Sequence, residues 1–490
     1  MKLSGILSLA GCTTELSADP TVTLATEDSR RAAPGALFVA VHGERADGHA
    51  FAEKAAAQGA VAIAGNRQGV NGLAGLPYIY TDAPRRLLGL AAHALAGDPS
   101  RHLNVIGITG TNGKTSTAVM VRHILEACGH PTANFGTLGY FAGEADSAPA
   151  RHTTPFADGL VDLLVRAREQ GRTHVVMEVS SHALAQDRVA GVHFLAAAFT
   201  NLSQDHLDFH EDMEAYLAAK LKLFGMLDGS LDGQFTAVNR ADPSAPSFVA
   251  ASKVPCYTFG AGGKARAKHV QYGGRATSFT FASPWGDYAV TAPVLGAHNL
   301  SNLLCALTIC GGLGAPMAEA AEAAASLEPV PGRFEQIDAG QPFQVIVDYA
   351  HTEDGLRNVL QAARRLCGRK IITVFGCGGD RDRKKRPRMG AAVAELSDFA
   401  IVTSDNPRTE DPERILLDTE LGLQQAGKRI DQDYLRILDR REAIRHAIAM
   451  AAPGDLVLIA GKGHEDYQIL GEERIHFDDR EEARNALAQR

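Results

Sequence analysis

One stretch limits what this chain can fold into: Val105-Ile106-Gly107-Ile108-Thr109-Gly110-Thr111-Asn112-Gly113-Lys114-Thr115-Ser116-Thr117. Val105, Ile106 and Ile108 predict a short buried strand, and Gly110 to Gly113 a tight turn. Met120, Val121, Ile124 and Leu125 supply the apolar stripe of an amphipathic helix. A glycine loop between strand and helix can hold phosphate. Its N–H groups point inward, the helix N-terminus adds positive potential, Lys114 reaches the outer phosphates and Thr115 can hold Mg²⁺. The strict G-x-x-x-x-G-K-[ST] spacing is not met: Ile108 stands at its first glycine and Gly107 lies one residue too early. The loop is therefore the shorter Gly110-Thr-x-x-Lys-Thr115. Alone, it would read as an ordinary strand-to-helix turn.

The chain is long enough, at 490 residues, for roughly three domains of about 150 residues each. A net charge of −8 gives no global case for nucleic acid or an anionic membrane. Seven scattered cysteines without a C-x-x-C pair read as reduced thiols of a cytoplasmic protein. Leu9-Ala-Gly-Cys12 looks like a lipoprotein cleavage box. However, the residues before it are few and are broken by Ser4, Gly5 and Ser8, so the match reads as chance. No run approaches the roughly 20 apolar residues of a membrane span.

Residues 1–100 predict a small α/β unit with strands at 36–41, 60–64 and 77–80 and helices at 48–58 and near Leu87–Leu95. Residues 101–332 begin with the phosphate loop. Strands at 173–181 and 194–199 follow, carrying Glu178 and Asn201 at their ends. Asp205-His-Leu-Asp-Phe-His210 is rich in possible metal ligands, each of which alone reads as a polar loop. Lys220 and Lys222, on a helix from Met213, read most simply as solvated surface lysines. Residues 254–294 look β-rich, and Asn299 and Asn302 share one face of the next helix, to cross-brace or to read a base. After a linker at 329–332, residues 333–490 alternate strands (344–348, 370–375, 399–403, 455–460) with helices, which predicts a parallel doubly wound sheet. Its strand ends carry Asp348-Tyr-Ala-His351, Gly376-Cys-Gly-Gly-Asp-Arg381, Asp405-Asn-Pro-Arg408 and Gly461-Lys-Gly-His-Glu465, which marks a second site. The basic run 381–388 reads as a small-anion site or a solvated turn.

Together, Gly110-Thr-Asn-Gly-Lys-Thr115, Glu178-Val-Ser-Ser-His182, Asn201-x-x-x-Asp-His-Leu-Asp208, Gly296-x-His-Asn-x-x-Asn302, Pro331-Gly-Arg333 and Asp348-Tyr-Ala-His351 resemble the Mur ligase family, in the family's order. The resemblance implies α/β architecture in three domains: a small UDP-substrate domain (1–100), a central phosphate-loop ATPase domain with a parallel sheet (101–332) and a Rossmann-like amino-acid domain (333–490). It also implies an ATP- and Mg²⁺-dependent ligase, acting as a monomer, whose substrates are UDP-N-acetylmuramoyl-L-alanyl-D-glutamate and meso-diaminopimelate.

By that resemblance Gly110, Thr111, Asn112, Gly113, Lys114, Thr115, Ser116, Asn302, Arg333, Asp348 and His351 bind ATP. Thr115, Glu178, His206 and Lys220 serve the metal, with Lys220 carbamylated to N6-carboxylysine; Lys114, Glu178, His206 and Lys220 form the catalytic group. Ser29, Thr153, Thr154, Ser180, Gln186 and Arg188 bind the UDP-muramoyl dipeptide. Arg381, Asp405, Asn406, Pro407, Arg408, Gly461 and Glu465 bind diaminopimelate. In the resembled subfamily Asp405-Asn-Pro-Arg408 marks diaminopimelate; lysine-adding relatives lack the arginine. The physics agrees, because Arg408 offers a planar fork for the distal carboxylate and lysine would leave it unpaired, at a cost of about 2–5 kcal/mol in a dry site. There are two departures from the family. Glu353 stands where relatives carry proline or asparagine, and Glu44-Arg45 replaces a more usual His-Gln near the UDP site. The rival readings are lysine addition, a folylpolyglutamate-type ligase, and a phosphate-loop NTPase acting as a switch.

Overall fold

The computed structural model describes residues 1–490 apart from 13–15, 17, 44–45, 71, 145 and 151, so the Glu44-Arg45 departure lies outside the described residues. Three α/β layers follow one another along the chain, built on sheets of five, eight and six strands. A three-stranded antiparallel meander, Arg266–Tyr272, Thr277–Ser283 and Gly286–Ala292, packs against the second layer. A hairpin, Tyr467–Leu470 with Glu473–His476, extends the third.

The central sheet explains why the phosphate loop sits where it does. Its strand, Asn104–Thr109, lies between Phe194–Phe199 and His174–Glu178, all parallel. Ile106, Ile108, Val176, Ala196 and Ala198 pack into the core on one face; Val105, Val175, Met177, Ala197 and Phe199 pack into the core on the other. Burial on both faces is why these strands read as near-continuous apolar runs. The register sets Glu178 level with Ile108 and Phe199 level with Thr109. Glu178 and Thr200-Asn201 therefore arrive at the rim beside the loop, where ligands gather in such sheets.

Two glycines are required there by geometry. Gly110 has φ +152° and Gly113 +84°. A side chain on Gly110 would overlap the Thr200 hydroxyl, and one on Gly113 the Asn302 amide.

The third sheet sets Gln344–Asp348, Leu456–Ala460, Ile371–Phe375 and Phe399–Val402 side by side and parallel, with the helices Glu353–Leu366, Lys385–Leu396, Pro412–Gln425 and Arg440–Met450 between them in sequence. Asp348 ends its strand, and Gly376, Asp405 and Gly461 follow theirs, all at this sheet's carboxyl edge.

Several expectations change. The helix Leu3–Leu9 buries Leu3, Ile6 and Leu7 in the first layer's core, so the stretch before Cys12 is part of the fold. The strands Thr132–Gly136, Gly139–Gly143 and Asp146–Ala148, which finish one side of the central sheet, were not evident in the sequence. Lys220 is not on the surface: it is 1% exposed, whereas Lys222 is exposed. Glu353 is the first residue of its helix, where proline and acids both suit the helix start, and it pairs with Arg357 at 3.2 Å. The basic run is partly structural: Arg386 is 1% exposed and pairs with Glu410 at 2.7 Å and Asp418 at 2.9 Å.

Candidate active site

The phosphate loop is braced from the neighbouring strand. Thr111 N–H donates to the Asn201 carbonyl at 2.8 Å, Asn112 N–H to Asn201 Oδ1 at 2.9 Å, and the Thr200 hydroxyl to the Asn112 carbonyl at 2.6 Å. Lys114 curls back so that its ammonium donates to the carbonyls of Gly110 at 2.8 Å and Thr111 at 2.9 Å. Lys220 reaches the same Gly110 carbonyl from beneath, at 2.9 Å, with its Nζ 4.4 Å from the centre of the Tyr216 ring. Burial lowers both amines below the ordinary lysine value. Lys220 lies well below it because the Lys114 charge adds to the burial.

Glu178, 1% exposed, is held by three donors: Thr115 Oγ1 at 3.0 Å, Thr137 N–H at 2.7 Å and Thr137 Oγ1 at 3.2 Å. The Arg333 guanidinium crosses from the third layer to Thr115 Oγ1 at 3.1 Å. A hydroxyl and a carboxylate this close suit Mg²⁺, which takes few protein ligands and keeps phosphate and water oxygens. Among the described residues no group of three or more His, Cys, Asp or Glu side chains is arranged to hold a metal alone. Lys220, as an amine, offers no oxygen, so a metal role requires its carbamate. His206, at φ +56°, sets its ring edge-on to His182 with centroids 4.7 Å apart and has Nε2 3.3 Å from Asp205 Oδ2. Burial pushes the His206 imidazole down from its ordinary value, and the Asp205 carboxylate pulls against it.

Asn302 donates to Asn299 Oδ1 at 3.3 Å and Asn299 to the Leu295 carbonyl at 3.1 Å, the cross-brace expected of an i, i+3 pair. Both also line a cavity of about 460 Å³ with Thr111 to Ser116, Arg333, Asp348 and His351. Gly110 contributes its carbonyl from behind, and Lys220 stays under the loop.

The second cluster lies across the gap. Asn406 donates to Glu465 Oε2 at 2.9 Å, Gln468 to the Asp405 carbonyl at 2.6 Å, and Ile469 N–H to Asn406 Oδ1 at 2.9 Å. Arg408 sits at φ +54°, which side chains rarely adopt. The hairpin pins it there, with Arg408 N–H on the Ile469 carbonyl at 3.1 Å and Gly471 N–H on the Arg408 carbonyl at 2.8 Å. Its guanidinium donates to the Gly379 carbonyl at 2.7 Å. Beneath, Arg440 and Asp479 form an ion pair at 2.7 Å with both side chains 0% exposed.

Arg381, Asp405, Asn406, Arg408, Gly461 and Glu465 line a cavity of about 620 Å³, together with Thr153, Ser180 and Arg188 from the central layer. Pro407 does not reach it. Thr154 is buried on the Glu178 carbonyl at 2.9 Å, and Gln186 accepts from Arg188 at 2.6 Å and 3.0 Å. Ser29 lines a separate cavity of about 760 Å³ between the first two layers. Two residues escaped sequence reading. Lys462 lies among the acids at 0% exposure, and Asp354 accepts from Asn112 Nδ2 and Ser203 Oγ, both at 3.1 Å. The first two cavities share Thr137, Thr153, Asp205, His206, Tyr349 and His351 as a common wall.

Known proteins resemble this chain over its whole length. Residues 21–94 match the Mur ligase family catalytic domain, 108–310 the Mur ligase middle domain and 332–463 the Mur ligase glutamate ligase domain. The UDP-N-acetylmuramoyl-L-alanyl-D-glutamate–2,6-diaminopimelate ligase of Geobacillus thermodenitrificans is 43% identical over 497 aligned positions, spanning 100% of both chains. The protein of the same name from Thermosynechococcus vestitus is 46% identical over 464 positions, spanning 93% of this chain and 91% of its own. A solved structure of a ligase so named superposes with a TM-score of 0.68 at 32% identity, covering 100% of this chain and 99% of its own. The MurF ligase of Thermotoga maritima in complex with ADP shares the fold, with a TM-score of 0.62, 20% identity and coverage of 90% and 94%. A phosphate loop and an arginine-bearing loop that face one wall from successive layers, matched end to end by such relatives, place this chain in the Mur ligase family.

Proposed function

We propose that this chain joins meso-2,6-diaminopimelate to UDP-N-acetylmuramoyl-L-alanyl-D-glutamate, at the cost of ATP to ADP, in peptidoglycan precursor synthesis. The observation that carries the proposal is the wall shared by the two cavities, which lets an activated acid meet an amine. The γ-carboxylate attacks the γ-phosphorus of ATP, giving an acyl phosphate and ADP. The amine of diaminopimelate then adds to the acyl carbon, and phosphate leaves from the tetrahedral intermediate as the amide forms. No enzyme nucleophile is required, so the protein's work is positioning and charge neutralisation.

The residue roles follow the geometry. Lys114 leaves the loop carbonyls to meet the γ-phosphoryl group, and the nucleotide lies between the loop, Asn302, Arg333, Asp348 and His351. Thr115 and Glu178 would hold Mg²⁺, with His206 beside a second ion; bound there, the metal neutralises triphosphate charge. Burial, with the Lys114 charge beside it, shifts Lys220 toward the neutral amine, the form that adds CO₂. Its carbamate would put an anion under a loop now flanked by Lys114 and Arg333. Ser29 marks the uridine end, and Thr153, Ser180 and Arg188 mark the peptide end; Arg381 and Arg408 would each take a carboxylate of diaminopimelate. We assign residues 1–100, 101–332 and 333–490 to the UDP-substrate, ATP and amino-acid domains, and a monomer working in the cytoplasm to the whole; no helix among the described residues is long and apolar enough to cross a membrane.

The test is mass spectrometry of the product from UDP-muramoyl dipeptide, ATP and an equal mixture of diaminopimelate and lysine. The diaminopimelate adduct should dominate. Equal use of lysine would refute the reading of Arg408, and ATP hydrolysis without any adduct would favour a switch.

A further inference from the structure

Lys462 is 0% exposed, and its ammonium lies 3.5 Å from Asp405 Oδ1, 3.3 Å from Glu465 Oε2 and 3.2 Å from Asn406 Oδ1. Burying an ammonium is costly unless it is paired well. The chain is shaped to bring it in: Gly461 at φ +125° and Gly463 at φ +56° flank it, and a side chain on Gly463 would press on Tyr349 Cβ at 2.7 Å. The two acids it faces, Asp405 and Glu465, line the proposed diaminopimelate cavity and are the carboxylates an incoming distal ammonium would meet there.

A charge count of this floor is informative. Asp405 and Glu465 bring two negative charges; Lys462 and Arg408 bring two positive ones. Arg440, behind Asp405, is neutralised by Asp479. These four groups thus balance two against two, and Arg381, which lines the same cavity, is left for the ligand's other carboxylate. The distal end of diaminopimelate is also neutral overall, with one carboxylate and one ammonium. The distal end of lysine is a bare cation, which acids already balanced by Lys462 and Arg408 attract less.

We infer that Lys462 is a specificity-determining residue: it fixes the pocket's charge so that a zwitterionic terminus, and not a cationic one, is accepted. This rests on the diaminopimelate reading above. Titration directions agree with it. Burial works to raise the Asp405 carboxyl, but Lys462, then Arg440, His351 and Arg408, hold it below the ordinary range. Burial and the Asp405 charge push Glu465 up, and Lys462 pulls against both. Without Lys462 an incoming ammonium would become the counter-charge both acids lack, and lysine would carry it as well as diaminopimelate does.

The experiment compares kcat/KM for diaminopimelate and for lysine in the full-length enzyme. Each variant's preference ratio is its own control against general damage. Lys462→Met should lower the ratio at least about tenfold, roughly 1.4 kcal/mol of discrimination. Lys462→Met combined with Glu465→Gln removes one charge of each sign and should keep the ratio within about threefold of the unsubstituted enzyme. That double variant also covers the case in which two unpaired acids keep the single variant from folding. An unchanged ratio in Lys462→Met, or a ratio lost in the double variant, overturns the inference. An unsubstituted enzyme that uses lysine as readily as diaminopimelate overturns instead the reading on which it rests.

Discussion

At the scale of a residue, Lys220 shows how far context changes a side chain. On an isolated helix it would be a solvated cation. Here it has a carbonyl at 2.9 Å, a tyrosine ring beside it and Lys114 on the same oxygen. Lys220→Ala should lower kcat by about a hundredfold or more, a scale usual for losing one preorganised charge. Short-chain carboxylates should restore part of the rate by refilling the anion's place, whereas Lys220→Arg should not respond to them. Full activity of Lys220→Ala would end the carbamate role. Neither its burial nor that of Lys462 could be read in the sequence. The carbonyl that holds Lys220 lies 110 residues away, at Gly110, and two of the groups around Lys462 lie 57 and 56 residues away, at Asp405 and Asn406.

Among elements, the legible ones are those whose environment is uniform. The strands beside the phosphate loop are buried on both faces and so are continuously apolar. The strands from Thr132 to Ala148 lie toward the edge of the sheet, mix glycine with polar residues and gave no period to read. The hairpin after Glu465 was missed for a similar reason: much of it is exposed, and its role is to hold another segment's backbone. The loop glycines gave the clearest signal because their constraint is steric and local. Gly110→Ala should push against Thr200 and Asn201 and lower ATP affinity, by about 1–3 kcal/mol if the cost is that of ordinary overpacking. Titration calorimetry with a non-hydrolysable ATP analogue reads this directly. Wild-type affinity at an unchanged melting temperature would show that the crowding is relieved elsewhere.

Across the whole molecule, Asp354 ties the third layer to the second by accepting from Asn112 and Ser203, and Arg388 bonds Gln204 nearby. The Asp354 tether lies on the cavity that the nucleotide would enter. Asp354→Ala should loosen the two layers without ligand. Small-angle scattering should record a larger radius of gyration, and amide exchange should quicken at Thr111 and Asn112; identical scattering curves would show that the tether is idle.

Stability should also depend on pH. Burial lowers His93 to about 3 and His174 to about 4, while an unfolded histidine titrates near 6.5. Below about pH 6.5 the unfolded chain binds protons that the folded one refuses. Stability is therefore full above that value and falls by up to about 1.4 kcal/mol per unit for each group as pH drops toward 4 and 3. Denaturant titrations at pH 7 and 5 should reveal the loss, and a His93→Phe variant should lose less.

The segment that joins the second and third layers has one more implication. Gly332, at φ +63°, passes so near Gly463 and His464 that a side chain there would overlap their backbone, and Gly332 N–H is held by Glu335 at 2.7 Å. The strip of chain beside Lys462 thus rests directly on the pivot about which the layers would swing. Anything that stiffened that strip would therefore bear on the joint as well, across a contact of bare backbone on backbone.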